Sequence, residues 1–455
     1  VIPHLPIGLE SLGGFYGTRG FNDHPALLIY VSGWVMRALG PEAWTARLVP
    51  CLLAAGCVPV LVAFGRQLGP RLRAWIAGFI LALTVSFFRV GSGFQLDGPM
   101  TVMILLSFWA WEKKWPIRTG IFAGLSIVLK APIGLLIFPA SFLAEAWFAR
   151  KNLSSILRAT WLRHWVIALA VCLGIVAAFW ALCAWIGGWS IVTDYWGRYV
   201  FGTLQGRDGS QTFDAFLFFR ELLRRYWPWL PFFLFGFSRI LRGGSWKTRE
   251  ELVPLLALII VTVIVSGIKF KSGSHYFLPA YPFMAWIAAK PIAEWFKNRE
   301  LGFLRWASTV IFIAGLACLC LPITFSGEPL PELRKFNAYI QSEGSITDRV
   351  LFVNGGYPYG SFMDYQPLIN FYTGRQVDVR DCGAVSATVA ADSRVSWIIV
   401  AQPQFESCIP ADIRTSFPTI YRMGTVMMLS RKPRGNEIDL STLFRKLKAT
   451  LSGNR

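Results

Sequence analysis

Ammonium, imidazole and carboxylate groups gather at a few breaks between apolar runs of this chain, and their spacing narrows the chemistry they could do. The stretch KFKSGSHYFLP places Lys269, Lys271 and His275 between two apolar segments. Two ammonium groups and an imidazole so close together suit a departing phosphate, because charge-assisted hydrogen bonds are strong. Anchoring among lipid headgroups is the alternative, since basic residues commonly sit at span ends. Asp97 stands in GSGFQLDGPM, a glycine-rich turn with Pro99 opening the next apolar run. Its carboxylate could serve as a base or cap the helix whose exposed amides it meets. In FNDHP, Asp23 and His24 precede Pro25, where Asn22 or Asp23 could equally cap the helix that follows. Lys130, in LKAP, ends a run where the chain must reverse. A snorkelling lysine is the ordinary explanation there, and a phosphate contact the functional one.

Residues 187–225 form a long expected loop in which Asp194, Tyr195, Trp196, Arg198 and Arg207 mix aromatics with both charge signs. Such a mixture fits sugar and phosphate recognition, although belt aromatics alone would explain Tyr226, Trp227 and Trp229. No histidine and acid cluster has metal-ligand spacing, so no residue is assigned to a metal, while a divalent ion accompanying a phosphate donor is left open. Neither a P-loop nor a nucleotide-binding glycine pattern nor GxSxG occurs, and nucleotide cofactors are not supported.

The elements that hold these groups are apolar. With 54% hydrophobic residues, 20 Trp and 36 Phe in 455 positions, the chain has more apolar surface than one soluble core could hide. Runs long enough to cross roughly 30 Å of hydrocarbon recur, and backbone in lipid must bond to itself, so they are read as helices. About ten spans are expected, near 43–65, 74–90, 98–112, 118–130, 132–149, 163–187, 226–241, 251–268, 276–296 and 303–325, after a surface-lying helix at 26–39.

Basic residues cluster in alternate connections: Arg66, Arg71 and Arg73; Lys113, Lys114 and Arg118; Arg150 to Arg163; Arg239 to Arg249; and Lys297 to Arg305. The positive-inside rule puts these in the cytoplasm, and puts Asp97, Lys130 and Lys269–His275 on the outer face. The net charge of +19 is thereby explained by topology and headgroups, without nucleic acid.

Beyond Pro329 the pattern changes to PELRKFNAYIQ, helix-like, and short strand-like runs at 350–354, 376–379, 397–401 and 426–429. The expected fold is therefore a polytopic α-helical membrane protein, residues 1–325, followed by an extracytoplasmic α/β domain, 326–434, and an amphipathic tail, 435–455. Of the eight cysteines, only Cys382 and Cys408 lie in a polar region, where they could pair if it faces an oxidising compartment.

Five motifs, FNDHP at 21–25, LDGP at 96–99, KAP at 130–132, the 269–279 stretch and NFYTGR at 370–375, fall in the order found in one family. The chain resembles the GT-C class of membrane glycosyltransferases, in particular the aminoarabinose transferases and protein O-mannosyltransferases. The resemblance implies inverting transfer of a sugar from a polyprenyl-phosphate carrier to a lipid, glycan or protein acceptor, outside a bacterial inner membrane.

It implies donor-phosphate contacts at His24, Lys130, Lys269, Lys271 and His275, a base at Asp97 or Asp23, and substrate contacts at Tyr276, Arg198, Tyr372 and Arg375. It also implies an acidic pair and a first span upstream of Val1. His24 stands where the family more often has Lys, and Ala131 where it has Gly. Two other classes compete: a transporter or lipid flippase, whose charges would line a path at mid-membrane, and a noncatalytic lipid-binding scaffold.

Overall fold

The computed structural model describes residues 25, 27–40, 43–130, 132–149, 160–201, 225–267, 274–297, 299–320, 340, 348–353, 377–423, 426–431 and 437–439. Its contacts divide into two compact units, one spanning Asn22–Phe325 and a second containing Ser326–Arg455. The first is helical. In order it holds α1 (Leu27–Leu39), α2 (Ala43–Leu68), α3 (Arg71–Ala82), α4 (Val85–Gly91), α5 (Asp97–Glu112), α6 (Pro116–Leu129), α7 (Ile137–Ala149), α8 (Thr160–Gly187), α9 (Leu230–Arg242), α10 (Arg249–Gly267), α11 (Tyr281–Trp295) and α12 (Glu300–Cys320).

Three helical segments are long and apolar enough to cross a membrane: Trp44–Leu68, Pro132–Ala149 and Thr160–Ile186. The pair α3 and α4, bent by 63°, would make a fourth. The expected count of about ten is thus larger than the number that meets this test among the described residues. Several expected spans are shorter or interrupted: 74–90 breaks at Thr84, whose hydroxyl donates back to the Ile80 carbonyl, and 276–296 begins with 3-10 turns at Ser274–Ala280. The expected 187–225 loop also differs, since Trp189–Thr193 is α-helical and Asp194–Phe201 is a π-helical stretch.

Helix α5 is the centre of the unit. Apolar residues occupy all its faces, and Met100, Leu105, Phe108 and Ala110 have no exposed surface. Phe108 packs between Phe64 of α2 and Phe283 of α11, with ring centroids 5.9 and 5.3 Å away. Two glycines let its neighbours approach: a Cβ on Gly98 would stand 2.6 Å from Ala54 of α2, and one on Gly120 of α6 would collide with the Ala168 carbonyl of α8. By contrast α8 shows Val166, Leu173, Leu182 and Trp185 to the outside. Such exposed apolar side chains are stable where lipid is the solvent.

The second unit is built on a six-stranded mixed sheet of order β2-β1-β3-β5-β4-β6. The strands are β1 (Arg349–Val353), β2 (Val377–Arg380), β3 (Val395–Ala401), β4 (Thr419–Met423), β5 (Val426–Ser430) and β6 (Glu437–Asp439). β1 pairs in parallel with β2 and β3, while β5 runs antiparallel to β3 and β4. Six of the seven residues of β3 are buried, as a central strand covered on both faces requires. Four strands coincide with strand-like runs visible in the sequence, whereas β4, which contains Arg422, and three-residue β6 do not. Cys382, just after β2, is bonded to Cys408, with Cα atoms 4.6 Å apart.

Candidate active site at the amino end of α5

Asp97 is the first residue of α5, and Lys130 follows the last residue of α6. Each charge therefore sits at the helix end that favours it, the carboxylate over free N–H groups and the ammonium over free carbonyls. The two helices run antiparallel, which brings these ends together: Lys130 Nζ donates to Asp97 Oδ1 at 2.5 Å. Both side chains are almost wholly buried, at 6% and 3% exposure. A lysine snorkelling to water would not be, so the pair is a built feature. Among the described residues, Asp97 is the one hydrogen-bond acceptor on that ammonium. The face of Tyr276 lies 4.9 Å away and adds a cation–π contact.

Apolar packing excludes water around the pair. Leu96 and Leu129, each next to a charged partner, are buried against Leu28 of α1. Low dielectric strengthens the attraction and makes either charge costly alone. The π-helical stretch supplies a further support, since the Tyr195 hydroxyl donates to the Lys130 carbonyl at 2.7 Å. Trp180 of α8 stacks on Tyr195 with centroids 4.6 Å apart. In the sequence Tyr195 was one aromatic among several in an apparent loop; a π-helical turn returning it to α8 has no local signature.

Of the other sequence candidates, Asp23, His24, Lys269, Lys271, Tyr372 and Arg375 lie outside the described residues, as do the side chains of His275 and Arg198. Pro25, one position after His24, is buried. The described residues hold no group of three histidine, cysteine or acidic side chains placed to share a metal ion.

About 24 Å along α5, at ~1.5 Å per residue, the opposite end of the unit carries ion pairs of another kind. Arg73 of α3 is 2% exposed. It donates to Glu250 at 2.6 Å, to both oxygens of Glu251 at 2.8 Å and to the Trp286 carbonyl at 3.1 Å. Its guanidinium also lies over the Trp286 ring. Lys290 of α11 reaches Glu251 at 2.7 Å. Beside this network, Arg249 binds both oxygens of Glu112 and one of Glu145. The sequence had assigned Arg73 and Arg249 only to basic connections.

Residues 23–181 match a family model described as dolichyl-phosphate-mannose-protein mannosyltransferase. The chain is similar in fold to ArnT from Cupriavidus metallidurans bound to undecaprenyl phosphate, with TM-score 0.68 and 12% identity, covering 96% of this chain and 94% of that one. Its apo state gives 0.62, also at 12% identity, covering 94% of both chains. The family-model match covers 159 of the 455 residues, and the likeness to ArnT is one of fold. The matched segment includes both Asp97 and Lys130. A likeness is also found to the apo oligosaccharyltransferase of Archaeoglobus fulgidus, with TM-score 0.45 and 12% identity over 96% of this chain and 71% of that one. No curated protein matches. Apolar helices long enough to cross a membrane, with apolar side chains facing outward, fit an integral membrane protein.

Proposed function

We propose that this chain is a GT-C glycosyltransferase that transfers a sugar from a polyprenyl-phosphate carrier, with inversion, to a lipid, glycan or protein acceptor at the outer face of a bacterial inner membrane. The observation that carries the reading is the buried Asp97–Lys130 pair, held at one end of the bundle, whose ammonium has one acceptor among the described residues. A structural ion pair is normally saturated with partners, as Arg73 is. ArnT, which shares the fold, is described bound to undecaprenyl phosphate.

In the proposed step an acceptor hydroxyl attacks the anomeric carbon as the bond from that carbon to the phosphate oxygen breaks. The phosphate leaves with the electron pair and stays on the lipid. Lys130, with Lys269, Lys271, His24 and His275, offsets the charge gathering on it. Asp97 or Asp23 takes the acceptor proton. Tyr276, Arg198, Tyr372 and Arg375 are assigned to substrate contacts, and a divalent ion, where one is used, would sit with the donor phosphate. About ten crossing segments with the sheet unit outside complete the assignment. The Cys382–Cys408 bond supports that placement, because such bonds persist in oxidising compartments.

The test is release of free polyprenyl phosphate from a labelled polyprenyl-phosphate sugar by the purified chain in lipid, in the presence of a mixed acceptor extract. Release that disappears in the double variant Lys269→Ala and Lys271→Ala, with protein yield unchanged, is expected. Labelled donor crossing the bilayer intact would instead establish a flippase, and donor bound but never consumed a scaffold.

A further inference from the structure

We propose that the chain after α8 turns back as a hairpin seated in the headgroup layer of the bilayer, and that this seat positions Lys130 through Tyr195. The seat itself does not depend on the transfer reaction, whereas its bearing on turnover rests on that reading.

The side of α8 that the protein leaves uncovered has the dimensions of a bilayer. Val166, Leu173, Leu182, Trp185 and Ile186 are all exposed, and from Val166 to Ile186 the helix rises ~30 Å at ~1.5 Å per residue, the thickness of a hydrocarbon core. Exposed Arg163 precedes this stretch. At its far end stand Trp185 and Trp189, 85% and 67% exposed. Tryptophan collects at membrane surfaces, where its ring meets acyl chains and its N–H meets headgroups. Lipid is the occupant that such a surface fits, apolar through the depth of the hydrocarbon with a cation at one end and indoles at the other.

α8 stops at that surface. The Gly188 N–H still donates to the Ala184 carbonyl at 2.9 Å, while its φ of 85°, a conformation that favours glycine, turns the chain off the helix axis. Trp189–Thr193 and the π-helical Asp194–Phe201 then fold back, because Tyr195 stacks on Trp180 with centroids 4.6 Å apart. Trp180 lies before Gly188 by ~12 Å of helix, at ~1.5 Å per residue. The hairpin therefore dips beneath the level of Trp185, with Trp189 outside and Tyr195, 1% exposed, inside. A depth of roughly 5–10 Å is where elements lying in the headgroup layer bury their apolar face.

The inner side of the hairpin reaches the site. Trp196 packs edge-on against both Tyr195 and Trp180, which fastens the hairpin to α8. The Tyr195 hydroxyl donates to the Lys130 carbonyl at 2.7 Å. The last carbonyls of a helix lack helical partners, and Lys130, at φ −149°, has already left the conformation of α6. Tyr195 supplies the missing partner, so what anchors the hairpin also places the peptide that carries the ammonium. Trp185 and Trp189 are thus positioning residues acting through Tyr195.

Phosphatidylcholine carrying a photoreactive diazirine, either near the glycerol or at the end of an acyl chain, tests the seat on the full chain in nanodiscs, with labelled residues read by mass spectrometry. The shallow probe should mark Trp185 and Trp189, and the deep probe Leu173. Absence of shallow label at both tryptophans would mean that protein covers them, and overturns the seat. For the positioning, Trp185→Ser with Trp189→Ser should quicken hydrogen exchange of Ile127–Lys130 roughly tenfold, the weight of about one hydrogen bond, and lower donor release similarly at saturating donor. Trp185→Tyr with Trp189→Tyr keeps an interfacial ring at each place and should restore both. Unchanged exchange in the serine variant overturns the positioning role. A parent chain that takes the shallow label yet releases no donor upholds the seat and overturns the transfer reading instead.

Discussion

At one end of α5, among the described residues, a single carboxylate faces a single ammonium; at the other, Arg73 spends all three guanidinium nitrogens on two carboxylates and a carbonyl, while Lys290 adds a second cation. Both sets are buried, so burial alone does not separate catalysis from architecture. Saturation does. Arg73 and Glu251 tie α3, α10 and α11 with little capacity left for a ligand. The Lys130 ammonium meets one acceptor among the described residues, Asp97, and the proposed reaction uses its remaining protons for the donor phosphate. A buried charge with spare hydrogen-bonding capacity is costly to keep, and such sites persist where an incoming group completes them.

The sharpest way to break this contrast is to remove one partner at each end. Arg73→Leu leaves Glu251 buried with only Lys290, and should cost ~3–5 kcal/mol of stability, read as a lowered melting temperature in detergent. The remaining folded protein should transfer sugar at the parental rate. A drop in turnover per folded molecule would place that network in the active machinery and dissolve the distinction.

At the other end, Lys130→Gln should lower transfer by about a hundredfold or more, corresponding to ~2.7–4 kcal/mol of transition-state stabilisation. The double variant Asp97→Asn with Lys130→Gln replaces the ion pair by a neutral hydrogen-bonded pair. It should recover much of the melting temperature without recovering turnover. Full turnover in the double variant would make the pair architectural, like its counterpart.

Tyr195→Phe sharpens the comparison further, since it removes only the hydroxyl that holds the Lys130 carbonyl. A stability loss of ~1 kcal/mol is expected, with transfer reduced less than by Lys130→Gln. Equal losses in the two variants would mean that the backbone position of Lys130, more than its charge, carries the effect.

The smallest effect belongs to the sheet unit, where Arg394, a partner of Asp392, is 57% exposed. Asp392 accepts from Arg394 and pairs with Arg349, each at 3.0 Å, and these bonds hold its carboxyl below the ordinary range. A lowered folded value stabilises above the unfolded carboxylate range and is lost as pH falls through the lowered value. Hydrogen exchange of β1 and β3 in the full chain should therefore quicken slightly on acidification below that range, and Asp392→Asn should remove this component.

Much of this was legible in the sequence because it is local. The run 98–112 was readable as a buried helix, since apolar residues fill every face and a Gly-Pro step opens it. Asp97 and Lys130 could be singled out because each interrupts such a run. That they touch could not be read, because the contact joins residues 33 apart through the antiparallel packing of two helices. The ion pairs of Arg73 and Arg249, which the sequence places in basic connections, could not be read for the same reason. Their acidic partners include Glu250, 177 residues from Arg73, and Glu112, 137 residues from Arg249. The doublet Glu250-Glu251, acids within an otherwise basic connection, was the one local hint.

By itself the sequence determined the class of the protein, the positions where helices must break, and the residue types available at those breaks, because hydrophobic content and turn chemistry act over a few neighbouring residues. Only the tertiary structure decided which of those charges are consumed in holding helices together and which keep a hydrogen bond to offer. That distinction depends on partners brought in from distant segments, and on how completely they surround each buried group.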